Sequence, residues 1–271
     1  MDASKTMIYA DMDGTLLTSW DKGPVISGNN KKAIRNWIAA QGLFSVATGR
    51  NLKNGPTHLE EFDLELPMVL VNGALIYSAH TKRILKSIYI KDEFYKEALA
   101  FFDQNLDCAA VLSDEYEVYA ITHTKADESL LDFIVQPIAR EKADSLKLLK
   151  VTFVTKPENH LKILNQILKF KTIDFINVTP SSESFIEIVD KHANKAEGIK
   201  WVLSHYPLQN RTLVCIGDYT NDEEMLKLAE VSAVPENGLA ALKAKANIIT
   251  SDHNHDAIAD LMLQLQQFKL L

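Results

Sequence analysis

Met7-Ile8-Tyr9-Ala10-Asp11-Met12-Asp13-Gly14-Thr15 decides how the rest of the chain is interpreted, because an apolar run leads directly into two carboxylates. The run from Met7 to Ala10 predicts a buried β-strand. In open α/β sheets, ligands bind outside the carboxyl ends of the strands. The stretch therefore predicts a functional site at Asp11 and Asp13. The alternative is an ordinary acidic turn, with Asp13-Gly14 as common turn residues.

The same alternation of short apolar runs and longer helical patterns continues on both sides of this stretch. Residues 29–41 predict a helix, with Gly42 as its left-handed cap. Further predicted strands lie at 43–47, 68–71, 213–216, 231–234 and 246–249, and further helices at 222–229 and 256–267. Strands that alternate with helices favour a parallel sheet covered by helices on both faces. The fold class predicted for both ends of the chain is therefore α/β, doubly wound.

The middle of the chain, residues 82–190, follows a different pattern. Its predicted strands are half-exposed and paired, as in Phe185-Ile186-Glu187-Ile188-Val189, and two helical patterns lie among them. This is typical of a mixed α+β unit. We therefore predict a core formed by residues 1–81 and 191–271, with residues 82–190 inserted as a second domain.

Composition and charge exclude several classes of partner. The chain has 271 residues, a formal net charge of -7 and no run of basic residues. Nucleic acid and anionic membrane surfaces both need clustered Lys and Arg, so neither is an expected partner. Cys108 and Cys215 lie in separate apolar stretches and are expected to be buried, reduced thiols. Neither a signal peptide nor a membrane-spanning run is present, so the cytoplasm is the expected location.

A second acidic cluster, Gly217-Asp218-Tyr219-Thr220-Asn221-Asp222, follows another predicted strand. Carboxylate oxygens of this kind suit Mg²⁺, which binds one or two carboxylates together with water and phosphate oxygens. The alternative is a helix cap formed by Thr220 or Asn221, and both interpretations can hold together. Such a cation would offset the negative charge of the site and allow an anionic ligand to bind.

Donors for a phosphate group are available at two further places. Thr48-Gly49-Arg50 ends a predicted strand and offers a hydroxyl group and backbone N–H groups. Lys195 opens the helix that returns the chain to the core. Read alone, Lys195 would be a solvated surface charge. Together with the two acidic clusters it becomes a candidate phosphate ligand, and carboxylates such as Asp11 are known nucleophiles towards phosphorus.

These four motifs resemble the haloacid dehalogenase superfamily of phosphohydrolases, whose core is Rossmann-like. The resemblance implies that Asp11 is the nucleophile and Asp13 the general acid and base. It implies that Thr48, Gly49 and Lys195 bind the phosphoryl group, and that Mg²⁺ is bound by Asp11, Asp13 and Asp218. Supporting roles are expected for Gly14, Arg50, Asn72, Gly73, Asn221, Asp222 and Asn254.

The chain also resembles the Cof-type subgroup, which carries an inserted α/β cap where residues 82–190 lie and a loop similar to Asn72-Gly73 after the third strand. The chain departs from that subgroup at two points. Ala196 stands where glycine is usual, and Pro235-Glu236 stiffens the loop after a predicted strand and adds negative charge to it.

The function predicted from the sequence is hydrolysis of phosphate monoesters of small metabolites, such as sugar phosphates or phosphorylated cofactors. Two alternatives stay open. One is a sugar-phosphate mutase or a disaccharide-phosphate phosphatase on the same scaffold. The other is a phosphate sensor without catalysis, which the intact pair of Asp11 and Asp13 disfavours because binding alone needs no acid or base. The oligomeric state is left open by the sequence.

Overall fold

The structure is a computed structural model that describes residues 1–20, 23–123, 131 and 135–267. The strands are β1 (Thr6–Ala10), β2 (Thr18–Trp20), β3 (Gly23–Val25), β4 (Leu43–Val46), β5 (Met68–Leu70), β6 (Leu75–Ser78), β7 (Arg83–Ser87), β8 (Cys108–Ser113), β9 (Val118–Ile121), β10 (Gln136–Pro137), β11 (Lys150–Thr155), β12 (Ile176–Pro180), β13 (Phe185–Asp190), β14 (Thr212–Ile216), β15 (Val231–Pro235) and β16 (Ile248–Thr250).

The α-helices are α1 (Gly28–Ala39), α2 (Asp92–Gln104), α3 (Arg140–Ala143), α4 (Pro157–Ile167), α5 (Lys195–His205), α6 (Glu223–Leu228), α7 (Ala240–Lys243) and α8 (Ala257–Gln267). Within the described ranges, none of them combines the length and the apolar character that crossing a membrane requires.

The core is a five-stranded parallel sheet in the order β16-β15-β14-β1-β4. A parallel bridge between Ala47 and Val69 adds β5 beyond β4, and β6 and β7 continue from β5 in antiparallel fashion. All five residues of β1 are buried, as expected for a central strand of a parallel sheet. The predicted α/β fold with a parallel-sheet core is confirmed.

Alternate residues of β1 face two separate layers of helices. Ile8 and Ala10 belong to the apolar cluster that includes α1 and α8, whereas Met7 and Tyr9 belong to the cluster that includes α5 and α6. Because strand residues point alternately to opposite faces, a strand covered on both sides must be apolar at every position. This explains why the run from residue 7 to residue 10 carries no polar interruption except the Tyr9 hydroxyl, which donates to the Pro67 carbonyl.

One prediction at the end of α1 is wrong. The left-handed residue there is Gln41, with φ of 63°, and Gly42 has no positive φ. A Cβ atom at Gly42 would lie 2.3 Å from Trp37 Nε1, so this position needs glycine for the close approach of the indole ring. Trp37 then donates from Nε1 to the Leu43 carbonyl at the start of β4.

The second sheet has six strands in the order β10-β9-β8-β11-β13-β12 and is antiparallel except where β10 joins β9. Helices α2 and α4 pack against it around a separate apolar cluster that includes Phe94, Phe153 and Ile186. This is the α+β unit expected from the middle of the chain. Strand β7, although it falls within 82–190, pairs with β6 at the edge of the core.

Candidate active site

The residues that follow β1, β4 and β14 meet at one edge of the core sheet. Asp11 comes directly after β1, and its backbone N–H donates to the Ile216 carbonyl at 2.9 Å. Ala47 N–H donates to the Ala10 carbonyl, which places Thr48 beside Asp11. Gly217 and Asp218 follow β14. Parallel register therefore gathers three of the four motifs at the carboxyl ends of neighbouring strands.

Lys195 completes the group from the first position of α5, where the Asn194 side chain caps the helix by accepting from Glu197 N–H. Its side chain is fully buried, and Nζ donates to Asp11 Oδ1 at 2.5 Å and to Asp222 Oδ1 at 2.6 Å. Burial disfavours the charged ammonium, but the two carboxylates outweigh it and hold the pKa of Lys195 above its ordinary value. The interpretation of Lys195 as a solvated surface charge is wrong.

Asp222 braces the loop that carries Asp218. It is fully buried, and its second oxygen, Oδ2, accepts from the backbone N–H groups of Asp218 and Tyr219. A Cβ atom at Gly217 would lie 2.4 Å from Asp222 Cγ, so the brace also requires glycine at that position. The capping alternative therefore holds in an altered form: the side chain that accepts from the backbone is the Asp222 carboxylate, and not the Thr220 hydroxyl or the Asn221 amide.

Asp218 faces the turn that follows Asp11. Thr15 Oγ1 donates to Asp218 Oδ1 at 2.8 Å, and a Cβ atom at Gly14 would lie 2.5 Å from Asp218 Oδ2. Gly14 also has φ of +81°, so both its conformation and its neighbour require glycine. Burial, reinforced by the Asp222 carboxylate, raises the pKa of Asp218 to about 7 against the opposing effects of Thr15 and Lys195.

Asp11, Asp218 and Asp222 offer carboxylate oxygens that all lie within 4.8 Å of one another. Burial raises the pKa of the Asp11 carboxyl; the Lys195 ammonium opposes this rise, and the neighbouring carboxylates add to it. Three carboxylates share one ammonium, so the cluster has an excess of negative charge that a hard divalent cation fits. Lys195 occupies one oxygen of Asp11 and Thr15 one oxygen of Asp218, which leaves each with a second oxygen for a cation.

Asp13 is not one of these three carboxylates and pairs with Arg50. The guanidinium binds both oxygens of Asp13, at 2.6 and 2.8 Å, and its Nη1 lies 3.1 Å from His58 Nε2. Burial and the Arg50 charge lower the pKa of His58, which favours the neutral ring that can accept from Arg50. Arg50 N–H also donates to Thr48 Oγ1. The predicted metal role of Asp13 stays a prediction, because its carboxylate binds Arg50 here.

Comparison with known proteins identifies the family. Residues 8–262 match the family model described as haloacid dehalogenase-like hydrolase. The chain belongs to this family. The resemblance inferred from the four motifs is therefore confirmed, and it extends over nearly the whole chain of this haloacid dehalogenase-like hydrolase.

Three similar proteins illustrate the range of relatives. The chain is 27% identical to "Endoribonuclease YBEY, chloroplastic" of Arabidopsis thaliana. The matched region covers 93% of this chain but only 45% of the Arabidopsis protein. It is 24% identical to "5-amino-6-(5-phospho-D-ribitylamino)uracil phosphatase YwtE" of Bacillus subtilis, covering 95% of this chain and 97% of that protein. A solved "HAD Subclass IIB Sugar Phosphatase BT4131" superimposes with a TM-score of 0.81 at 19% identity, covering 97% of this chain and 100% of that one.

The loop at Asn72-Gly73 joins the phosphate-binding candidates of this hydrolase to α5. Asn72 is left-handed, with φ of 50°, and its N–H donates to the Thr48 carbonyl at 2.9 Å. Gly73 has φ of +89°, and a Cβ atom there would lie 2.0 Å from the Asn194 carbonyl oxygen. The start of α5, and with it Lys195, is therefore seated directly against this glycine.

Gly73→Ala is expected to destabilise the protein by at least about 2 kcal/mol, because alanine combines an unfavourable φ with a backbone collision. Chemical denaturation of both proteins measures the difference. Gly28→Ala is the matched control, since a Cβ atom at Gly28 meets nothing within 4 Å and α1 should tolerate it. Equal stabilities of the two variants would contradict the seating of α5 on Gly73.

Asn237, whose role no sequence pattern indicated, links two loops to the turn at Gly14. It donates from Nδ2 to the Gly14 carbonyl at 2.8 Å and accepts at Oδ1 from His253 N–H at 2.9 Å. Asn254 lies one residue further on and accepts from Ser19 N–H, outside the carboxylate cluster. Within the described residues, the Asn221 side chain makes no hydrogen bond to the cluster. The supporting roles of Asn221 and Asn254 stay predictions.

Lys150 and Glu187 are the other polar residues that sequence reasoning missed. Both lie in apolar strands of the six-stranded sheet, yet they reach the core beside Gly49 and Asn72. The available signal was a single charge within an otherwise apolar run, as in Leu149-Lys150-Val151. A charge in a buried strand needs a partner, and such partners concentrate at functional sites.

Proposed function

We propose that the chain is a magnesium-dependent phosphatase that hydrolyses phosphate monoesters of small metabolites through an aspartyl-phosphate on Asp11. The observation that carries this proposal is the buried contact of Lys195 Nζ with Asp11 Oδ1 at 2.5 Å. The ammonium fixes the orientation of the nucleophile and supplies positive charge where phosphoryl oxygens would gather. The phosphatase names of similar proteins, YwtE and BT4131, support the same reaction class.

In the first step, an oxygen of Asp11 attacks phosphorus and the bond from phosphorus to the ester oxygen breaks. Asp13 gives a proton to that oxygen, and the alcohol leaves. Thr48 and the backbone N–H groups around Gly49 bind the phosphoryl oxygens in this proposal. Because Arg50 holds both oxygens of Asp13, that ion pair has to open before Asp13 can carry the proton.

In the second step, water attacks the phosphorus atom of the aspartyl-phosphate. Asp13 takes the proton from that water, the bond between phosphorus and Asp11 breaks, and inorganic phosphate leaves. Asp11 returns as a carboxylate beside Lys195. Asp13 thus acts first as an acid and then as a base, and its starting protonation state is restored after each turnover.

Magnesium would be held by Asp11 and Asp218, with Asp222 orienting the loop from behind. The fit rests on two observations: one oxygen from each of Asp11, Asp218 and Asp222 lies within 4.8 Å of the others, and Lys195 and Thr15 each bind only one oxygen of Asp11 and Asp218. When bound, the ion would neutralise charge between the carboxylates and the phosphate. Asp13 remains the third ligand predicted by family resemblance, and binding through its carboxylate would require a rearrangement around Arg50.

The six-stranded sheet and its helices form, in this proposal, a cap over the core. Because β7 pairs with the core strand β6, we place the start of the cap after Ser87 and keep its end at Asp190. In this proposal the catalytic residues lie outside the cap and carry out the reaction, while the cap contacts the rest of the substrate and determines which substrate is accepted. The cytoplasmic location expected from the sequence stays a prediction.

Trapping the phospho-enzyme tests the proposed intermediate. Acid quenching of the protein during turnover of a ³²P-labelled monoester should leave label on the chain, and hydroxylamine should release it as expected for an acyl phosphate. The Asp11→Asn variant is the matched control and should retain no label. Phosphate release from an aryl phosphate without any trapped label in the wild-type protein would point to direct attack by water.

Magnesium activation should strengthen as the pH rises towards neutrality. Metal ligands must lose their protons, and the metal-free Asp218 carboxyl has its pKa raised to about 7. Protons therefore compete with Mg²⁺ for Asp218 below that pH. The apparent affinity of the protein for Mg²⁺ should increase by up to about tenfold per pH unit between about pH 6 and pH 7, and should then level off. The measurement is the Mg²⁺ dependence of aryl phosphate hydrolysis at several pH values.

Thr15→Val sharpens this test, because it removes the hydrogen bond that favours ionised Asp218 at little change in volume. The pH above which the apparent Mg²⁺ affinity no longer increases should be higher in the variant. Identical Mg²⁺ affinities at about pH 6 and pH 8 would contradict a role for Asp218 as a proton-competing ligand.

A further inference from the structure

Lys150 and Glu187 form a buried ion pair on one face of the six-stranded sheet. Lys150 Nζ donates to Glu187 Oε1 at 2.5 Å, and the two side chains are 9% and 12% exposed. They lie at diagonal register positions of β11 and β13, so both point to the same face of the sheet. Their strand neighbours Val151 and Ile186 belong to the apolar cluster that includes α2 and α4. The pair therefore lies on the face of the sheet opposite to these helices.

This ion pair contacts the core at the turn that carries the phosphate-binding candidates. Lys150 Nζ donates to the Gly49 carbonyl at 2.9 Å, and Glu187 Oε2 accepts from Asn72 Nδ2 at 2.5 Å. The backbone N–H of Asn72 donates in turn to the Thr48 carbonyl at 2.9 Å. The carbonyl oxygens of Thr48 and Gly49 are therefore both bound, the first by Asn72 and the second by the ammonium of Lys150.

The orientation of these two carbonyl groups decides whether the turn can bind phosphate. A carbonyl oxygen carries partial negative charge and repels phosphoryl oxygens, whereas backbone N–H groups attract them. The peptide bonds of the turn are trans. Because a trans peptide bond is planar, its C=O and N–H groups point in opposite directions. Each bound carbonyl therefore fixes the direction of the N–H group of the following residue, which is Gly49 in one case and Arg50 in the other.

The first of these N–H groups is available for a ligand. Within the described ranges of the chain, Gly49 N–H donates to no protein group, and Arg50 N–H donates to Thr48 Oγ1 at 3.2 Å. Glycine adopts more backbone conformations than other residues, so the peptide bonds on either side of Gly49 can rotate unless their carbonyls are held. A Cβ atom at Gly49 would lie 3.2 Å from Asn72 Oδ1 and 3.4 Å from Glu187 Oε2. The turn is therefore packed closely against the groups that hold it.

We infer that Lys150 and Glu187 are positioning residues that hold the turn Thr48-Gly49-Arg50 in the conformation that binds phosphoryl oxygens. This inference rests on the proposed function, in which Thr48 and the N–H groups around Gly49 bind the phosphoryl group. Lys150 acts through the Gly49 carbonyl, and Glu187 acts through Asn72. Their effect on affinity is therefore the same for inorganic phosphate as for a phosphate ester, whatever the leaving group.

Inorganic phosphate is the probe for the test, because it has no leaving group. Its affinity for the Mg²⁺-loaded protein is measured by isothermal titration calorimetry and by competitive inhibition of p-nitrophenyl phosphate hydrolysis. The double variant Lys150→Met/Glu187→Met should bind phosphate at least about tenfold more weakly than the wild type, the scale of one or two hydrogen bonds. The double change keeps the net charge, and buried sites tolerate apolar replacements of an ion pair better than an unpaired charge. The kcat/KM values for p-nitrophenyl phosphate and n-pentyl phosphate should fall by similar factors.

The conservative variant Lys150→Gln/Glu187→Gln tests whether hydrogen bonds hold the turn. Its amides keep an N–H donor for the Gly49 carbonyl and an oxygen acceptor for Asn72, but carry no charge. The phosphate affinity of this variant should lie within about threefold of the wild-type value, because both hydrogen bonds to the core are retained. A purely structural role of the ion pair in packing the sheet would give no such rescue.

Lys53→Met/Glu117→Met is the matched control. This second ion pair, at 2.5 Å, also joins the six-stranded sheet to the core, but both of its side chains are about one-third exposed (35% and 33%). Its removal also keeps the net charge and should leave the phosphate affinity unchanged. Thermal unfolding checks that each variant is folded. If Lys150→Met/Glu187→Met is not, Lys150→Met is compared with the charge-matched Lys53→Met, and a loss of phosphate affinity is expected in the first alone.

Three results would overturn the inference. They are an unchanged phosphate affinity in the Lys150 variants with Met, an equal loss in the conservative variant, and an equal loss in the control. A loss for the esters without a loss for inorganic phosphate would also overturn it, since these residues would then contact the leaving group. Failure of the wild-type protein to bind phosphate and to hydrolyse either ester would overturn the proposed function itself, and the inference with it.

Discussion

Asp11→Asn is expected to lower the kcat/KM of phosphate ester hydrolysis by about 10⁴-fold or more, because an amide does not attack phosphorus. The structure adds a second reason. The Asp11 carboxylate accepts a hydrogen bond from the buried Lys195 ammonium, and an amide at this position has neither the negative charge for attack nor a charge that pairs with the ammonium. Initial rates with an aryl phosphate and saturating Mg²⁺ measure the loss.

The loss should not arise from unfolding. Asp11 sits in a cluster with excess negative charge, and burial raises the pKa of its carboxyl, so the neutral amide is expected to leave the metal-free protein at least as stable as the wild type. Thermal unfolding of both proteins checks this point. Asp63→Asn, at an exposed carboxylate paired with His80, is the control for removal of a charge elsewhere. Turnover near the wild-type rate, with deamidation excluded by mass spectrometry, would refute the mechanism.

Asp13→Asn is expected to have an effect that depends on the leaving group. For alkyl phosphates, whose alcohols need protonation, formation of the phospho-enzyme should slow by about 10²- to 10⁴-fold. For aryl phosphates, which leave readily as phenolates, the loss in the same step should be at least about tenfold smaller. Single-turnover kinetics isolates this step from the later hydrolysis, in which the proposed role of Asp13 is that of a base for every substrate.

Arg50 provides the control for a structural role of Asp13. Arg50→Met removes the bidentate ion pair but keeps the Asp13 carboxyl. The decrease in the rate of phospho-enzyme formation in this variant should therefore not depend on the basicity of the leaving group. If Asp13 only served to hold Arg50, the loss of rate would depend on the leaving group in the same way in both variants. Equal losses for alkyl and aryl phosphates in Asp13→Asn would therefore remove Asp13 from the role of acid.

The α/β core was predictable because its signals are local. A run such as residues 7–10, apolar at every position, has no half-exposed alternative, and it needs helices on both faces. The carboxyl ends of parallel strands share one edge, so motifs far apart in the chain could be predicted to meet there. The pairing of strand β7 with the core was not predictable in this way, because a half-exposed strand after a turn can pair with either neighbouring sheet.

Gly42 shows how a correct residue can be given the wrong reason. A glycine after a helix is typical of a left-handed cap, but the deciding neighbour is the Trp37 ring, whose position depends on how α1 packs on the sheet. Lys195 shows the same limit for charge. Its spacing from other residues predicts a surface lysine as readily as a buried one, and its burial follows from α5 being seated against Gly73.

The sequence by itself determined the α/β class, the order of the motifs and the strand ends at which Asp11, Thr48 and Asp218 lie, because strand periodicity and parallel register are properties of neighbouring residues. Only the tertiary structure decided which polar groups contact one another: Asp13 with Arg50, Lys195 with Asp11 and Asp222, and the cap pair of Lys150 and Glu187 with Gly49 and Asn72. These contacts join residues up to 184 positions apart, and their geometry depends on the packing of whole sheets and helices, which no local pattern encodes.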